Sequence, residues 1–285
     1  MRLLAANALT DPQPLDDDLL IEGDAADVLG RLPEEAFELI YIDPPFNTGR
    51  TQRARRIAVE HDELAGARTG FAGRRYSSRT LSDIAYADSF TDYAAFLEPK
   101  LERARELLSA QGTLYVHLDY REAHYVKVAL DRVFGRECFL NEIIWAYDYG
   151  GKPKRRWPAK HDTILVYVRD RERYIFDADA VEREPYMAPG LVGPEKAARG
   201  KRPTDVWWHT IVPTSGHERT GYPTQKPEGV LRRLVAASSR PGGWCLDFFA
   251  GSGTLGAVCA QLGRRYVLVD ESPEAIAIAL ARLTG

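Results

Sequence analysis

The residues best suited to chemistry form one short run, Asp43-Pro44-Pro45-Phe46, which directly follows an apolar stretch at positions 37–42. That stretch is β-branched and aromatic, so it predicts a buried strand. Two prolines cannot continue the hydrogen-bond ladder of a sheet, so the chain must turn away here. We therefore expect Asp43 at the carboxyl end of a strand, where open α/β sheets bind their ligands.

This motif combines a carboxylate, a proline carbonyl and a flat ring within four positions. Because Pro45 restricts the backbone before it, the oxygens of Asp43 and Pro44 should point in fixed directions. Two rigid acceptors beside a flat ring suit a planar substrate that carries an exocyclic amine. The plainer alternative is a strand end followed by a turn, with the turn residues Asn47, Thr48 and Gly49.

A second constellation lies later in the chain and has the order strand, glycine-rich turn, helix, strand, acidic residue. Positions 251–256 match the G-x-G-x-x-G fingerprint, and Asp270 ends the next predicted strand. Glycines let a ligand approach the backbone closely, and the acidic residue can accept hydrogen bonds from ribose hydroxyls. The turn alone does not separate nicotinamide cofactors from S-adenosylmethionine, because both contain an adenosine ribose.

A nicotinamide-dependent oxidoreductase is therefore the alternative from a different functional class. The fingerprint begins near residue 247 of 285, which leaves little sequence for a conventional dinucleotide-binding domain. S-adenosylmethionine has no pyrophosphate, so it needs no helix start dedicated to phosphate. The motif at 43–46 also suits a chemistry other than hydride transfer.

The run Asp43-Pro44-Pro45-Phe46, followed by Asn-Thr-Gly, resembles the catalytic motif of DNA amino-methyltransferases in its adenine-N6 form. Cytosine-N4 members usually carry serine in place of this aspartate, so cytosine-N4 methylation is the nearest alternative. A DNA-binding module that has lost catalysis is disfavoured by the intact motif. The order of motifs also resembles the permuted β-group of this family: catalytic motif, target-recognition segment, Pro-Thr-Gln-Lys-Pro at 223–227, then the glycine turn.

The resemblance implies a Rossmann-like α/β methyltransferase fold, with helices on both faces of a mostly parallel seven-stranded sheet and a circularly permuted motif order. It implies transfer of a methyl group from S-adenosylmethionine to adenine N6 in double-stranded DNA, by in-line displacement on a flipped-out base. Asp43 and Pro44 would accept the amine hydrogens, Pro45 would hold their geometry, and Phe46 would stack on the base.

The resemblance also implies a set of cofactor-binding residues and no metal. Asp270 would hold the ribose, and Asp24 would contact the adenine, although Asp24 also suits the N-cap of a short helix. Thr224 and Lys226 would lie near the methionine end of the cofactor. The other cleft residues would be Phe248, Ala250, Gly251, Ser252 and Gly253.

The length allows one large or two small domains, and a composition of 45% hydrophobic and 28% charged residues is typical of an ordinary globular protein. The resemblance implies a single methyltransferase domain over residues 1–285. The net charge of −3 means that DNA binding must come from local basic patches. The best candidate is a glycine-hinged loop that also holds Trp157, although it could be a solvated charged turn. Its cations are Lys152, Lys154, Arg155 and Arg156.

Two long stretches lack a regular pattern. Residues 48–86 are rich in arginine and predict a mobile loop, which could close over a flipped base or be a solvated insertion. Residues 170–216 are the candidate target-recognition insertion.

The three cysteines lack zinc or disulfide spacing and therefore indicate a reducing compartment. No signal sequence or apolar run of membrane-spanning length is evident, so we expect a cytoplasmic protein that associates with the nucleoid through DNA. Two further partners are left open by the resemblance, a homodimer and a cognate restriction endonuclease.

Overall fold

The computed structural model describes residues 1–61, 68–69, 75–88 and 90–285, with side chains for residues 1–49 and 90–285. The described residues form twelve β-strands and seven α-helices. In chain order these are β1 (Arg2–Ala5), β2 (Leu19–Glu22), α1 (Ala25–Leu29), β3 (Phe37–Ile42), β4 (Arg50–His61), β5 (Arg68–Thr69), β6 (Arg75–Asp88), α2 (Tyr93–Leu107), β7 (Leu108–Leu118), α3 (Ala123–Phe134), β8 (Phe139–Ala146), β9 (His161–Val168), α4 (Pro194–Arg199), β10 (Val206–Trp208), α5 (Glu228–Ser238), β11 (Trp244–Asp247), α6 (Thr254–Gln261), β12 (Arg265–Asp270) and α7 (Pro273–Thr284).

Nine strands form one sheet in the order β1-β2-β12-β11-β3-β7-β9-β8-β10. Neighbouring strands are parallel except at β9, which runs antiparallel to both β7 and β8. The predicted α/β class with a mostly parallel sheet is confirmed, but the sheet has nine strands instead of seven. The edge strands β1 and β10 are only four and three residues long, which is too short for a clear alternating pattern.

The sheet is covered on both faces, as β3 illustrates. Ile40 and Ile42 belong to the core formed with α1, α2 and α3, whereas Leu39 and Tyr41 belong to the core formed with α5, α6 and α7. Side chains alternate along a strand, so a strand buried on both faces has a continuous apolar sequence. This explains why the strand before Asp43 was predictable.

The sheet has a switch point between β11 and β3. From β11 the chain continues through α6 to β12 on one side, whereas from β3 it eventually reaches β7 on the other. Such a divergence opens a crevice at the carboxyl ends of the two strands. Asp43 follows β3 and Phe248 follows β11, so the two sequence motifs meet at this crevice.

Residues 48–86 contain a separate antiparallel sheet, β4-β6-β5, where the sequence had suggested an irregular loop. β4 pairs with β6 from Arg50↔Asp88 to His61↔Tyr76. The arginine-rich strands lack a regular apolar alternation, which is why they were not evident in the sequence. The parts of the predicted loop at 62–67 and 70–74, and all side chains from 50 to 89, lie outside the described residues.

The stretch 170–216 contains α4 and β10, and β10 extends the main sheet by pairing with β8. In the part of the chain that the structure describes, no helix is both long and apolar enough to cross a membrane. The same residues contain no cluster of three or more His, Cys, Asp or Glu side chains that could hold a metal ion.

Candidate active site

Asp43 lies at the carboxyl end of β3 and forms an ion pair with the ammonium group of Lys226, 183 residues away in sequence. The two side chains are only 15% and 10% exposed, respectively. Asp43 Oδ1 is buried, and no hydrogen-bond partner for it is found among the described residues. Pro44 is buried and Pro45 is half-buried, so the backbone that carries the carboxylate is firmly packed.

A cavity of about 320 Å³ opens beside this ion pair and joins the two sequence motifs. Asp43 and Pro45 contribute to its wall from the first motif, and Asp270 contributes from the strand after the glycine turn. Most of the predicted cofactor residues lie on the same wall, namely Asp24, Thr224, Lys226, Phe248, Ala250, Gly251 and Ser252. The fold therefore brings residues from distant parts of the chain to one crevice.

The carboxylate of Asp270 holds the glycine turn in place. One oxygen accepts a hydrogen bond from the Gly251 N–H at 2.7 Å, and the other accepts one from the Ser272 N–H at 2.9 Å. Burial raises the pKa of Asp270, and these two backbone hydrogen bonds oppose that effect. The predicted contact with a ribose is therefore additional to a structural role that the sequence did not reveal.

The two predicted cleft glycines have different tasks. Gly251 has a φ of +49°, and a Cβ atom added there would lie 3.0 Å from Cε1 of Tyr222. Gly253 has a φ of +71°, and an added Cβ would lie 2.9 Å from Cβ of Ala279 on α7. Gly251 therefore keeps the cavity wall open, whereas Gly253 allows two helices to approach closely and is not on that wall.

Asp24 lies on the cavity wall and also caps α1. Its Oδ1 accepts a hydrogen bond from the Ala26 N–H at 2.7 Å, which satisfies one of the free amides at the helix start. Asp24 can therefore cap α1 and still face the cavity in which a cofactor adenine would bind.

A buried polar chain lies behind the ring of Phe46. The Phe46 and His117 ring centroids are 5.9 Å apart, and the two nitrogens of His117 contact the Tyr41 hydroxyl at 2.8 Å and Asp162 at 3.2 Å. Tyr147 donates to the other Asp162 oxygen at 2.8 Å. Burial acts to raise the pKa of Asp162, but the interactions with His117, Lys226 and Tyr147 together outweigh burial and lower that pKa. His117 is fully buried, and both of its ring nitrogens have partners.

Asn47 fastens the turn that follows the motif. Its side-chain amide donates to Glu122 Oε1 at 2.8 Å, and its Oδ1 accepts from the Phe90 N–H at 2.8 Å. Its φ of +53° is a conformation that asparagine tolerates better than most residues. The turn is therefore tied both to α3 and to the segment that enters α2.

Three phenylalanines of the cavity wall, Phe90, Phe96 and Phe249, were not identified from the sequence as site residues. The rings of Phe90 and Phe96 stack at 4.3 Å between centroids, and Phe96 is 6.1 Å from Phe249. Phe90 and Phe96 lie at the entry of α2, whereas Phe249 lies in the turn after β11, so no local spacing joins all three. Of the three, only Phe249 had a signal in the sequence, because it directly follows the predicted cofactor residue Phe248.

Asp247 is a buried acid on the same wall, where its Oδ1 accepts the Phe249 N–H at 2.9 Å. Burial is the main cause that raises its pKa well above the usual value, and the negative charge of Asp43 adds to this effect. The environment of Asp247 therefore disfavours its charged form.

The predicted basic loop follows β8, which runs parallel to β3. The loop therefore lies beyond the carboxyl ends of the strands, on the same side as Asp43. The guanidinium of Arg156 is 5.9 Å from the ring of Tyr120, a residue that follows β7, the neighbour of β3. Lys160 donates to the Gly150 carbonyl at 2.9 Å and closes the loop. The loop exposes Trp157 and the four cations Lys152, Lys154, Arg155 and Arg156.

Comparisons with known proteins agree with this geometry. Residues 37–281 match the DNA methylase family of N6 and N4 enzymes. The chain is 29% identical over 272 residues to the DNA adenine methyltransferase YhdJ of Escherichia coli, covering 93% of this chain and 82% of that protein. It is 30% identical over 267 residues to the type II methyltransferase M.HpaI of Haemophilus parainfluenzae, covering 94% and 74%.

Solved structures support the same fold. The PvuII DNA methyltransferase, which is cytosine-N4-specific, superimposes with a TM-score of 0.63 at 14% identity, over 93% of this chain and 86% of that one. The complex of M1.HpyAVI with S-adenosylmethionine gives a TM-score of 0.59 at 18% identity, over 93% and 98%. With a family match that covers most of its length, and both family motifs meeting at one crevice, this chain belongs to the N6/N4 DNA methylase family and is a DNA methyltransferase.

Proposed function

We propose that this protein transfers a methyl group from S-adenosylmethionine to the N6 amine of adenine in double-stranded DNA. The observation that carries the proposal is the shared cavity, in which the Asp43 carboxylate and the glycine turn line one crevice at a switch point. The aspartate at position 43, where cytosine-N4 members usually carry serine, supports adenine. The E. coli relative is also named as an adenine methyltransferase.

The cavity wall fits S-adenosylmethionine chemically. Gly251 keeps its backbone accessible, Asp270 and Asp24 offer acceptors for hydroxyl or amine groups, and Lys226 offers a cation for a carboxylate. Phe249 and its neighbours supply apolar area. When bound, S-adenosylmethionine supplies the methyl group as the electrophile of a direct displacement.

The protein's own task is to make a poor nucleophile reactive. The lone pair of the adenine N6 amine is delocalised into the ring, so the amine attacks weakly. Hydrogen bonds from the amine to Asp43 and to the Pro44 carbonyl would favour a tetrahedral nitrogen with a localised lone pair. Asp43 would also stabilise the positive charge that develops on N6, and the rigid backbone around it favours correct orientation.

Cytosine-N4 methylation is the second candidate. Cytosine N4 is also an exocyclic amine on a planar ring, and the fold resembles that of a cytosine-N4-specific enzyme. The same acceptors could therefore serve either base.

Nucleoside mass spectrometry distinguishes the two bases. DNA incubated with the purified protein and S-adenosylmethionine bearing a trideuterated methyl group should yield labelled N6-methyladenine. Labelled N4-methylcytosine alone would reject adenine specificity, and the absence of any labelled base would reject the proposal. Methylation-sensitive sequencing of the same DNA would provide the recognition sequence.

Replacing Phe46 with alanine should lower kcat/KM on duplex DNA by about 10- to 100-fold, because a base–aromatic contact contributes about 1–3 kcal/mol. Phe46→Trp should retain most of the activity, since it keeps a flat ring. The matched control is Tyr125→Ala, which removes an exposed aromatic from α3, an element with no proposed role in catalysis or target recognition. Equal activities for Phe46→Ala and Phe46→Trp would argue against stacking.

Replacing Lys152, Lys154, Arg155 and Arg156 together with glutamine should weaken DNA binding and make it less sensitive to salt. Each lost phosphate contact reduces the slope of log K against log salt by about 0.9, so the slope should fall by about 3 to 4. Fluorescence anisotropy with labelled duplex at several salt concentrations measures this slope.

The control removes exposed cations at the amino end of the parallel strands, away from Asp43, where Arg2 begins β1 and Arg136 precedes β8. The double variant Arg2→Gln/Arg136→Gln should keep the wild-type slope. If both sets of substitutions change the slope equally, the basic loop is not the DNA-binding surface.

We further propose a single methyltransferase domain over residues 1–285, in which residues 170–216 contribute to target recognition and the 48–86 segment to DNA contact. The type II name of the H. parainfluenzae relative supports a restriction–modification role with a cognate endonuclease. A homodimer is a further proposal, which sedimentation of the protein with and without DNA would test.

A further inference from the structure

Neither carboxylate oxygen of Asp43 is open to a base in this structure. Oδ2 is bonded to the Lys226 ammonium, and Oδ1 is buried without a hydrogen-bond partner among the described residues. The same ammonium lies 4.8 Å from the centroid of the Phe46 ring. An adenine that donates its amine hydrogens to Asp43 therefore competes with this ammonium for the carboxylate.

Lys226 is the movable member of the pair. Its backbone carbonyl accepts a hydrogen bond from Thr254 Oγ1 at 3.3 Å, and that hydroxyl accepts one from Arg282 at 3.0 Å, so the backbone is tied to the start of α6. Four flexible carbons separate this backbone from the ammonium. Asp43, by contrast, has a short side chain between a buried strand and two prolines.

A second carboxylate would enter the same cavity with the cofactor. Lys226 lines the wall together with Gly251 and Asp270, and S-adenosylmethionine carries an α-carboxylate. This carboxylate and Asp43 are chemically similar partners for one ammonium, and Lys226 cannot hold both equally well. Binding at one partner must then weaken binding at the other, and this coupling is reciprocal.

We infer that Lys226 exchanges the Asp43 carboxylate for the carboxylate of S-adenosylmethionine, so that cofactor binding releases Asp43 to receive the flipped base. This inference rests on the proposed function. Lys226 is then a positioning residue with two alternative partners. In the absence of cofactor it keeps the base site closed, which makes binding of cofactor before base the favoured order.

Calorimetric titration with S-adenosylhomocysteine, without DNA, tests the exchange. This ligand keeps the carboxylate but lacks the sulfonium charge, so removing the charge of Asp43 does not remove an attraction to a sulfonium. Asp43→Asn should bind it about tenfold more tightly than the wild type, because the competing ion pair is lost. Lys226→Met should bind it about tenfold more weakly. The double variant should behave like Lys226→Met, since the gain requires the ammonium.

Two controls separate this exchange from a general effect of charge. 5′-Methylthioadenosine contains the adenosine thioether without the amino-acid carboxylate, and its affinity should be the same for the wild type and both single variants. Asp27→Asn removes an exposed negative charge that is not on the cavity wall, and should leave the affinity for S-adenosylhomocysteine unchanged.

The outcomes of these titrations distinguish a failure of the proposed exchange from a failure of the proposed function. If S-adenosylhomocysteine binds but Asp43→Asn does not bind it more tightly, the exchange is wrong while the proposed function stands. Equal tightening for 5′-methylthioadenosine would likewise overturn the exchange. If the wild-type protein does not bind S-adenosylhomocysteine at all, the proposed function itself fails, and the exchange fails with it.

Discussion

Replacing Asp43 with alanine should abolish methyl transfer to DNA while the protein stays folded and still binds S-adenosylhomocysteine. The substitution removes both the acceptor for the amine hydrogens and the negative charge beside the developing positive charge on N6. Loss of one preorganised electrostatic group costs about 10²–10³-fold in rate, and Asp43 fulfils two such roles, so we expect a loss of at least about 10³-fold. Incorporation of a labelled methyl group into DNA measures this rate.

The Asp43→Asn variant refines the same test. Asparagine keeps the shape and one acceptor oxygen but loses the charge, so its rate should lie at or slightly above that of Asp43→Ala. It should combine this low rate with tighter binding of S-adenosylhomocysteine, because Lys226 loses its ion-pair partner. Unchanged melting temperatures would exclude unfolding as the cause. A rate for Asp43→Ala within tenfold of the wild type would contradict the catalytic role.

Replacing Asp270 with asparagine should weaken cofactor binding even though the two side chains have almost the same shape. Each carboxylate oxygen accepts one backbone hydrogen bond, from Gly251 and from Ser272. Asparagine has one carbonyl oxygen, so its NH₂ group would face one of these N–H donors. A buried donor left without its acceptor costs about 1–3 kcal/mol. If this cost appears in the free energy of cofactor binding, the affinity falls by about 10- to 100-fold.

Calorimetry with S-adenosylhomocysteine measures this loss, and Asp27→Asn serves again as the control for the removal of one charge. A thermal melt should also show a lower midpoint for Asp270→Asn, because the hydrogen bond to Ser272 supports the start of α7. Wild-type affinity and stability together would show that the glycine turn does not depend on the Asp270 carboxylate.

The strand at 37–42 and the glycine turn were predictable because each depends on local signals. A strand buried on both faces has a continuous apolar sequence, and glycine turns have a fixed spacing. The family resemblance supplied the order of the motifs. Together these features predicted the fold class, and all of the predicted cofactor-binding residues except Gly253 lie on the cavity wall.

The remaining features depend on contacts between residues distant in sequence. The ion pair of Lys226 with Asp43 joins positions 183 residues apart, so no spacing predicts it. The sequence suggested Lys226 as a partner of the cofactor alone. Gly253 was expected on the cavity wall because it belongs to the fingerprint, but its neighbour is Ala279, whose approach depends on how α7 packs.

A crystal structure of the protein with S-adenosylhomocysteine and a duplex that contains its recognition sequence tests the central claim most directly. We predict an extruded adenine whose N6 atom lies about 3 Å from both an Asp43 oxygen and the Pro44 carbonyl. Phe46 should lie against the base, and Lys226 should have left Asp43. A target adenine that remains stacked in the duplex, or a flipped base whose amine points away from Asp43, would contradict the account.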